Sequence, residues 1–226
     1  MLDRQGLYKL MFWRSVVVAW IVFIFVYGAF SIFTLYPFLK AILNGYNLKE
    51  AEFSFEDSNY FNSEQKKRLS QHYSRLQGTL AFWKNNAIKY GSLHFYCVFW
   101  VIFGGLSIPV LIQFIDGAEG MFGRICVTLV SMHVALLSAI HKGFKVEQNY
   151  KNYRIGESEY FDLRRRLLDQ PYLLSKESED QIDVYFSTTE AIRRDMRVKE
   201  VDSIASFEDV KLAVNEIKEG LSKKNS

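Results

Sequence analysis

The sequence predicts an all-α membrane protein. A transmembrane helical hairpin is extended by long cytoplasmic helices, with an N-terminal transmembrane helix before it and C-terminal amphipathic helices after it. Three observations carry this reading. Residues 15–39, 95–115 and 125–140 contain no Asp, Glu, Lys or Arg, and about 20 apolar residues suffice for a helix to cross a bilayer. Apolar stripes at 3–4 spacing run into the second of these segments and out of the third. A chain of 226 residues has too little core to hide three helices that are apolar all round.

Residues 1–40 are the expected N-terminal transmembrane helix, with Pro37 and Lys40 closing the span. Its apolar stretch is longer than the roughly 7–15 residues of a signal-peptide core, and no small-x-small site follows it. Trp13, Trp20 and Tyr36, with Trp100 in the second run, include positions near run ends, where amphipathic rings favour the membrane interface. Residues 41–62 read as a linker, because Gly45, Asn47, Ser54, Asp57, Ser58, Asn59 and Asn62 interrupt any pattern.

Residues 63–176 form the hairpin, with spans at about 93–115 and 124–142 and helical extensions. Ser63 is the expected N-cap, with Glu64 in the first turn. Leu69, Tyr73, Leu76, Leu80, Trp83, Ala87 and Tyr90 share one face, and the spacing continues through His94, Cys97, Val101, Gly104, Ile108 and Leu111. One helix therefore becomes the second span. Gly104, Gly105 and Pro109 are its expected hinge, since Gly loosens a helix and Pro removes a backbone bond. After the turn at residues 116–120, a stripe of Ile125, Leu129, Met132, Leu136, Ala139, Gly143, Val146, Tyr150 and Tyr153 predicts a second continuous helix, ending at Pro171. Residues 177–226 hold cytoplasmic helices: one over about 177–200, and one over 206–223 with Phe207, Val210, Val214, Ile217 and Leu221 on one face.

The net charge of +3 is too small to argue for direct nucleic-acid binding. Its distribution says more. Basic residues flank the hairpin on both sides, while its loop carries Asp116 and Glu119, so the positive-inside rule places the loop outside and both flanks in the cytoplasm. Three spans then put the N-terminus outside, against the charges of Arg4, Lys9 and Arg14; the alternative is a first run that lies in the membrane plane or re-enters.

A second stripe runs along the third span: Arg124, Thr128, Ser131, Ala135, Ser138 and Lys142. Small and hydroxyl residues permit close helix contact. Repeated around an oligomer, the same face would line a pore with basic mouths that favour anions. Both readings stand at this level. His133, within the third span, is a functional candidate because ionisable groups there are costly, and a hydrogen-bonded neutral imidazole fits it equally. His94 and His141 read as interfacial, and Cys97 and Cys126 as small buried residues.

No cofactor and no metal is expected, and no constellation supports an enzyme. The sequence has no phosphate-binding glycine loop, zinc-protease motif, nucleophile elbow or paired CxxC. Arg68-x-x-x-His72 falls one residue short of the HEPN ribonuclease spacing.

The basic helix with Leu69, Arg75, Leu76 and Phe82-Trp83-Lys84, the two spans, and the segment 144–165 with Tyr153, Arg154, Tyr160 and Leu163 together resemble the SLATT family. These are two-transmembrane effector domains associated with SMODS nucleotidyltransferases and SLOG nucleotide sensors. The resemblance covers about residues 64–200. It implies a membrane effector of bacterial antiphage defence, in the inner membrane with its C-terminal region cytoplasmic. Such an effector forms a homo-oligomeric pore in the lipid bilayer and answers to a nucleotide-signalling or sensor protein. The first span and the last helix are additions to that pattern. The alternatives are a non-conducting membrane scaffold that recruits a soluble defence enzyme and, more weakly, a transporter subunit, against which the lack of any intramembrane carboxylate speaks.

Overall fold

The computed structural model describes residues 4–44, 55–115 and 120–203. Five α-helices account for most of them: α1 (Arg4–Asn44), α2 (Ser63–Gln113), α3 (Gly120–Gly143), α4 (Val146–Asp169) and α5 (Ser178–Ser203). No strand occurs among the described residues. Segments of α1 (Ser15–Leu43) and α3 (Met121–Gly143), and α2 itself, are long and apolar enough to cross a membrane. The proposed helix at 206–223 lies outside the described residues.

The chain divides into two compact units. The first contains α1 up to Lys40, α2 from Ser92, and α3. Here α2 and α3 run antiparallel, since His94 meets His141 at one end and Ile115 approaches Gly123 at the other. Trp20 also lies against Gly123 while Tyr27 reaches His133, so α1 runs parallel to α3. The second unit packs α2 (to Gly91), α4 and α5 around a core of Leu69, Leu76, Leu80, Trp83, Tyr153, Tyr160, Leu167, Ile182 and Tyr185. The α2 stripe read from the sequence is this core face.

Four sequence expectations change. Helix α1 does not stop at Pro37 but runs on to Asn44; membrane helices tolerate Pro where neighbouring helices, Ser/Thr side chains or local adjustments re-satisfy the freed backbone groups. The segment 41–62 is not wholly a linker, because Phe55 and Phe61 are buried in the core of the second unit. The cap of α2 is Asn62 rather than Ser63. Asn62 Oδ1 accepts from the Gln65 amide at 2.9 Å and Gln65 Oε1 accepts from the Asn62 amide at 3.0 Å, which makes a reciprocal capping box.

The fourth change is at the end of α3. The predicted continuous helix is two helices, broken at Phe144–Lys145, where Lys145 takes the left-handed conformation (φ 44°, ψ 43°). The Asn149 side chain donates to the Phe144 carbonyl at 3.0 Å. Gly143 ends α3 as a poor helix former, and Asn149 satisfies an orphaned carbonyl of the break.

Candidate functional site

Within the first unit, α1 is bound to the hairpin by a cluster of polar side chains. The Tyr27 hydroxyl is hydrogen-bonded to His133 Nδ1 at 2.8 Å, and the Tyr96 hydroxyl lies 3.4 Å from His133 Nε2. Tyr96 is also hydrogen-bonded to Ser31 Oγ at 2.8 Å. A neutral imidazole donates from one nitrogen and accepts at the other, so the two tyrosines serve it in opposite senses. One residue of α3 thereby joins α1 and α2.

Trp100 fills the centre of the cluster. It is fully buried, and its Nε1–H donates to Thr34 Oγ1 at 2.8 Å. The Thr34 hydroxyl in turn donates to the carbonyls of Phe30 and Ser31. Tyr27 and His133 stand edge-on to the indole at 4.7 Å and tilted to it at 5.5 Å. The expectation of Trp100 as an interfacial anchor is therefore corrected: its N–H is satisfied by α1 rather than by a lipid headgroup.

The α3 surface divides into sectors. Gly123, Cys126, Val130 and Leu137 are buried, with His133 among them half-buried. Ile125, Leu129, Met132 and Leu136, expected to form the hairpin seam, are exposed. Lipid accepts such side chains as readily as a neighbouring helix does, so apolar character alone does not separate the two faces. Arg124, Thr128, Ala135 and Lys142 are also exposed, and Ser131 and Ser138 are half-buried. At about 100° per residue these six positions lie roughly 140–220° round the helix from His133. The face that holds α1 and the hydroxyl face are thus opposite sides of one helix. Thr128 donates its hydroxyl to the Arg124 carbonyl at 2.8 Å.

The three hinge candidates lie within an unbroken helix. A Cβ at Gly104 would strike Val134 Cγ2, whereas one at Gly105 would meet nothing. Gly104 is a point of close approach between α2 and α3.

In the second unit, the resemblance residues are structural neighbours. Tyr153 is buried and donates to Glu200 at 3.3 Å; Tyr160 is hydrogen-bonded to Tyr185 at 3.0 Å; Leu163 lies in the core; Arg154 is exposed and paired with Glu157 at 3.1 Å. The sequence reading met Arg164 only as part of the resemblance segment and gave it no role. Its guanidinium is buried 4.2 Å from the Tyr73 ring centre and 5.3 Å from that of Phe55. Arg68 bridges to Glu179 at 2.9 Å, and the His72 ring centre lies 4.3 Å from that of Phe186. Burial, then the nearby Arg75 and Arg193 charges, depress the His72 pKa below its ordinary value.

No family model, curated protein or solved structure matches this chain.

Proposed function

We propose that this chain is a membrane effector of bacterial antiphage defence that oligomerises into a gated pore in the inner membrane. The observation that carries the reading is the α3 face with Thr128, Ser131, Ala135 and Ser138 between Arg124 and Lys142. It lies opposite the face that packs on α1, with Arg124, Thr128, Ala135 and Lys142 exposed and Ser131 and Ser138 half-buried, and small residues there permit close approach of another copy. Three helices are too few to surround an aqueous path, so conduction needs several chains. The polar cluster supports the same reading, because it fixes α1 to the side of α3 away from the hydroxyl face.

In this reading both flanks of the hairpin, and the C-terminal region, are cytoplasmic. The second unit receives the signal of a nucleotide-signalling or sensor partner, and the close contact of Gly104 with α3 sets the closed packing. The chain performs no bond chemistry of its own.

The test is membrane potential, followed with a voltage-sensitive dye in bacteria expressing the full chain with its genomic neighbours. Depolarisation on triggering, abolished by Ser131→Leu with Ser138→Leu at unchanged expression, is the expected result. Protection of the cells with an unchanged potential would replace the pore by a scaffold that recruits a soluble enzyme.

A further inference from the structure

At the end of the hairpin remote from the α2–α3 loop, two imidazoles from different helices face each other. His94 Nδ1 on α2 lies 2.8 Å from His141 Nε2 in the last turn of α3. The ring centres are 5.0 Å apart, with planes inclined by 35°. Both rings are half-buried. They stand near the ends of the apolar runs, where water reaches the helices.

We infer that His94 and His141 form a binding site for a transition-metal ion, with Zn2+ as the ion that fits. Imidazole nitrogen is a borderline donor that suits Zn2+ and Cu2+ far better than Mg2+ or Ca2+. Two nitrogens at 2.0–2.1 Å from a tetrahedral zinc lie about 3.3 Å apart. The observed separation therefore opens by about 0.5 Å, which small side-chain rotations supply. The two nitrogens already point at each other and lie within the reach of one ion.

Without metal, one of the facing nitrogens must carry the proton of an N–H···N bond. On binding, that ring moves its proton to its far nitrogen, and both facing lone pairs go to the ion. From a neutral pair the exchange is a tautomer shift and releases no proton. The bound ion clips α2 to α3 at this end of the spans, replacing one weak hydrogen bond by two metal–ligand bonds. The site is independent of whether the chain conducts. Sequence spacing hides it, because the two ligands are 47 positions apart and belong to no motif.

The test uses the full chain in detergent, purified without a polyhistidine tag and titrated calorimetrically with Zn2+. One zinc per chain is expected. His94→Asn and His141→Asn should each lower the affinity by about 100-fold or more, beyond the 10–100-fold that changes outside the ligand shell reach. Zinc should also raise the unfolding temperature of the unaltered chain, a readout that needs no variant to fold. Absence of zinc binding by the unaltered chain overturns the proposal. Binding that survives both His94→Asn and His141→Asn overturns it as well.

Discussion

The Tyr27 hydroxyl of α1 bonds to His133 Nδ1 of α3 at 2.8 Å, between residues 106 positions apart. Hydrogen bonds of this kind between membrane helices contribute about 0.6–2 kcal/mol each. Tyr27→Phe should weaken the hold of α1 by about 1 kcal/mol, and His133→Ala should weaken it more by leaving the Tyr27 and Tyr96 hydroxyls without their shared partner. Cys97 and Cys126 are free and buried, so a thiol-reactive dye reports the opening of this unit. Dye labelling on heating should begin at a lower temperature in both variants.

The hydroxyl face of α3 makes a prediction about water. In a background with Cys97 and Cys126 replaced by Ala, single cysteines at Thr128, Ser131 and Ser138 should react with charged, membrane-impermeant thiol reagents once the system is triggered. Cysteines at Met132 and Leu136, exposed on the lipid sector, should not. Equal reactivity of the two sets would remove the assignment of the pore wall.

Gly156 sets how closely α5 approaches α4, since a Cβ there would strike Met196 Sδ. Gly156→Leu should destabilise the second unit by about 1–3 kcal/mol through overpacking. Gly78, on α2, has nothing within 4 Å of an added Cβ, and Gly78→Ala should stabilise by up to about 1 kcal/mol through helix propensity. Thermal unfolding followed by circular dichroism checks both signs.

His72 predicts a pH dependence. Its folded-state pKa is depressed, by burial first and by the Arg75 and Arg193 charges next, so the unfolded chain binds the proton more readily. The contribution of His72 is complete above the ordinary histidine pKa of about 6.5 and is lost as pH falls through the lower folded value. Unfolding temperatures measured from pH 7.5 down to pH 5 should fall less steeply in His72→Phe than in the unaltered chain.

Arg164 lies against Tyr73 at 4.2 Å from the ring centre. A planar guanidinium stacks on an aromatic face as an ammonium cannot. Arg164→Lys keeps the charge but should lower the unfolding free energy by about 1–2 kcal/mol, the scale of a desolvated cation–π contact. Urea unfolding compared between the two chains measures the difference.

The Leu69–Tyr90 stripe was legible because the opposite face of that helix meets water, which forces an amphipathic period. The membrane segments were legible as segments, from their freedom from charge. Their inner faces were not. Leu129, Met132 and Leu136 are exposed while Cys126, Val130 and Leu137 are buried, because lipid removes the penalty that makes hydrophobicity report burial. His133 was singled out from its cost in the membrane, but its partners Tyr27 and Tyr96 lie on other helices and no spacing links them. Trp100 was misplaced for the same reason, as its partner Thr34 is 66 positions away. The break at Lys145 escaped because the apolar stripe continues across it.

The parallel course of α1 and α3 bears on how the chain enters the membrane. The end of α1 that carries Arg4 and Lys9 and the end of the hairpin that carries Lys142 lie at opposite ends of this unit, so with all three helices spanning a bilayer they would face opposite sides. Charge cannot favour both ends at once, so one basic cluster crosses against its preference. The contacts of α1 with His133, Tyr96 and Trp100 would then have to offset that cost. A chain lacking the His133, Tyr96 and Trp100 contacts would leave its first helix to the translocation machinery, with its basic end retained where it was made.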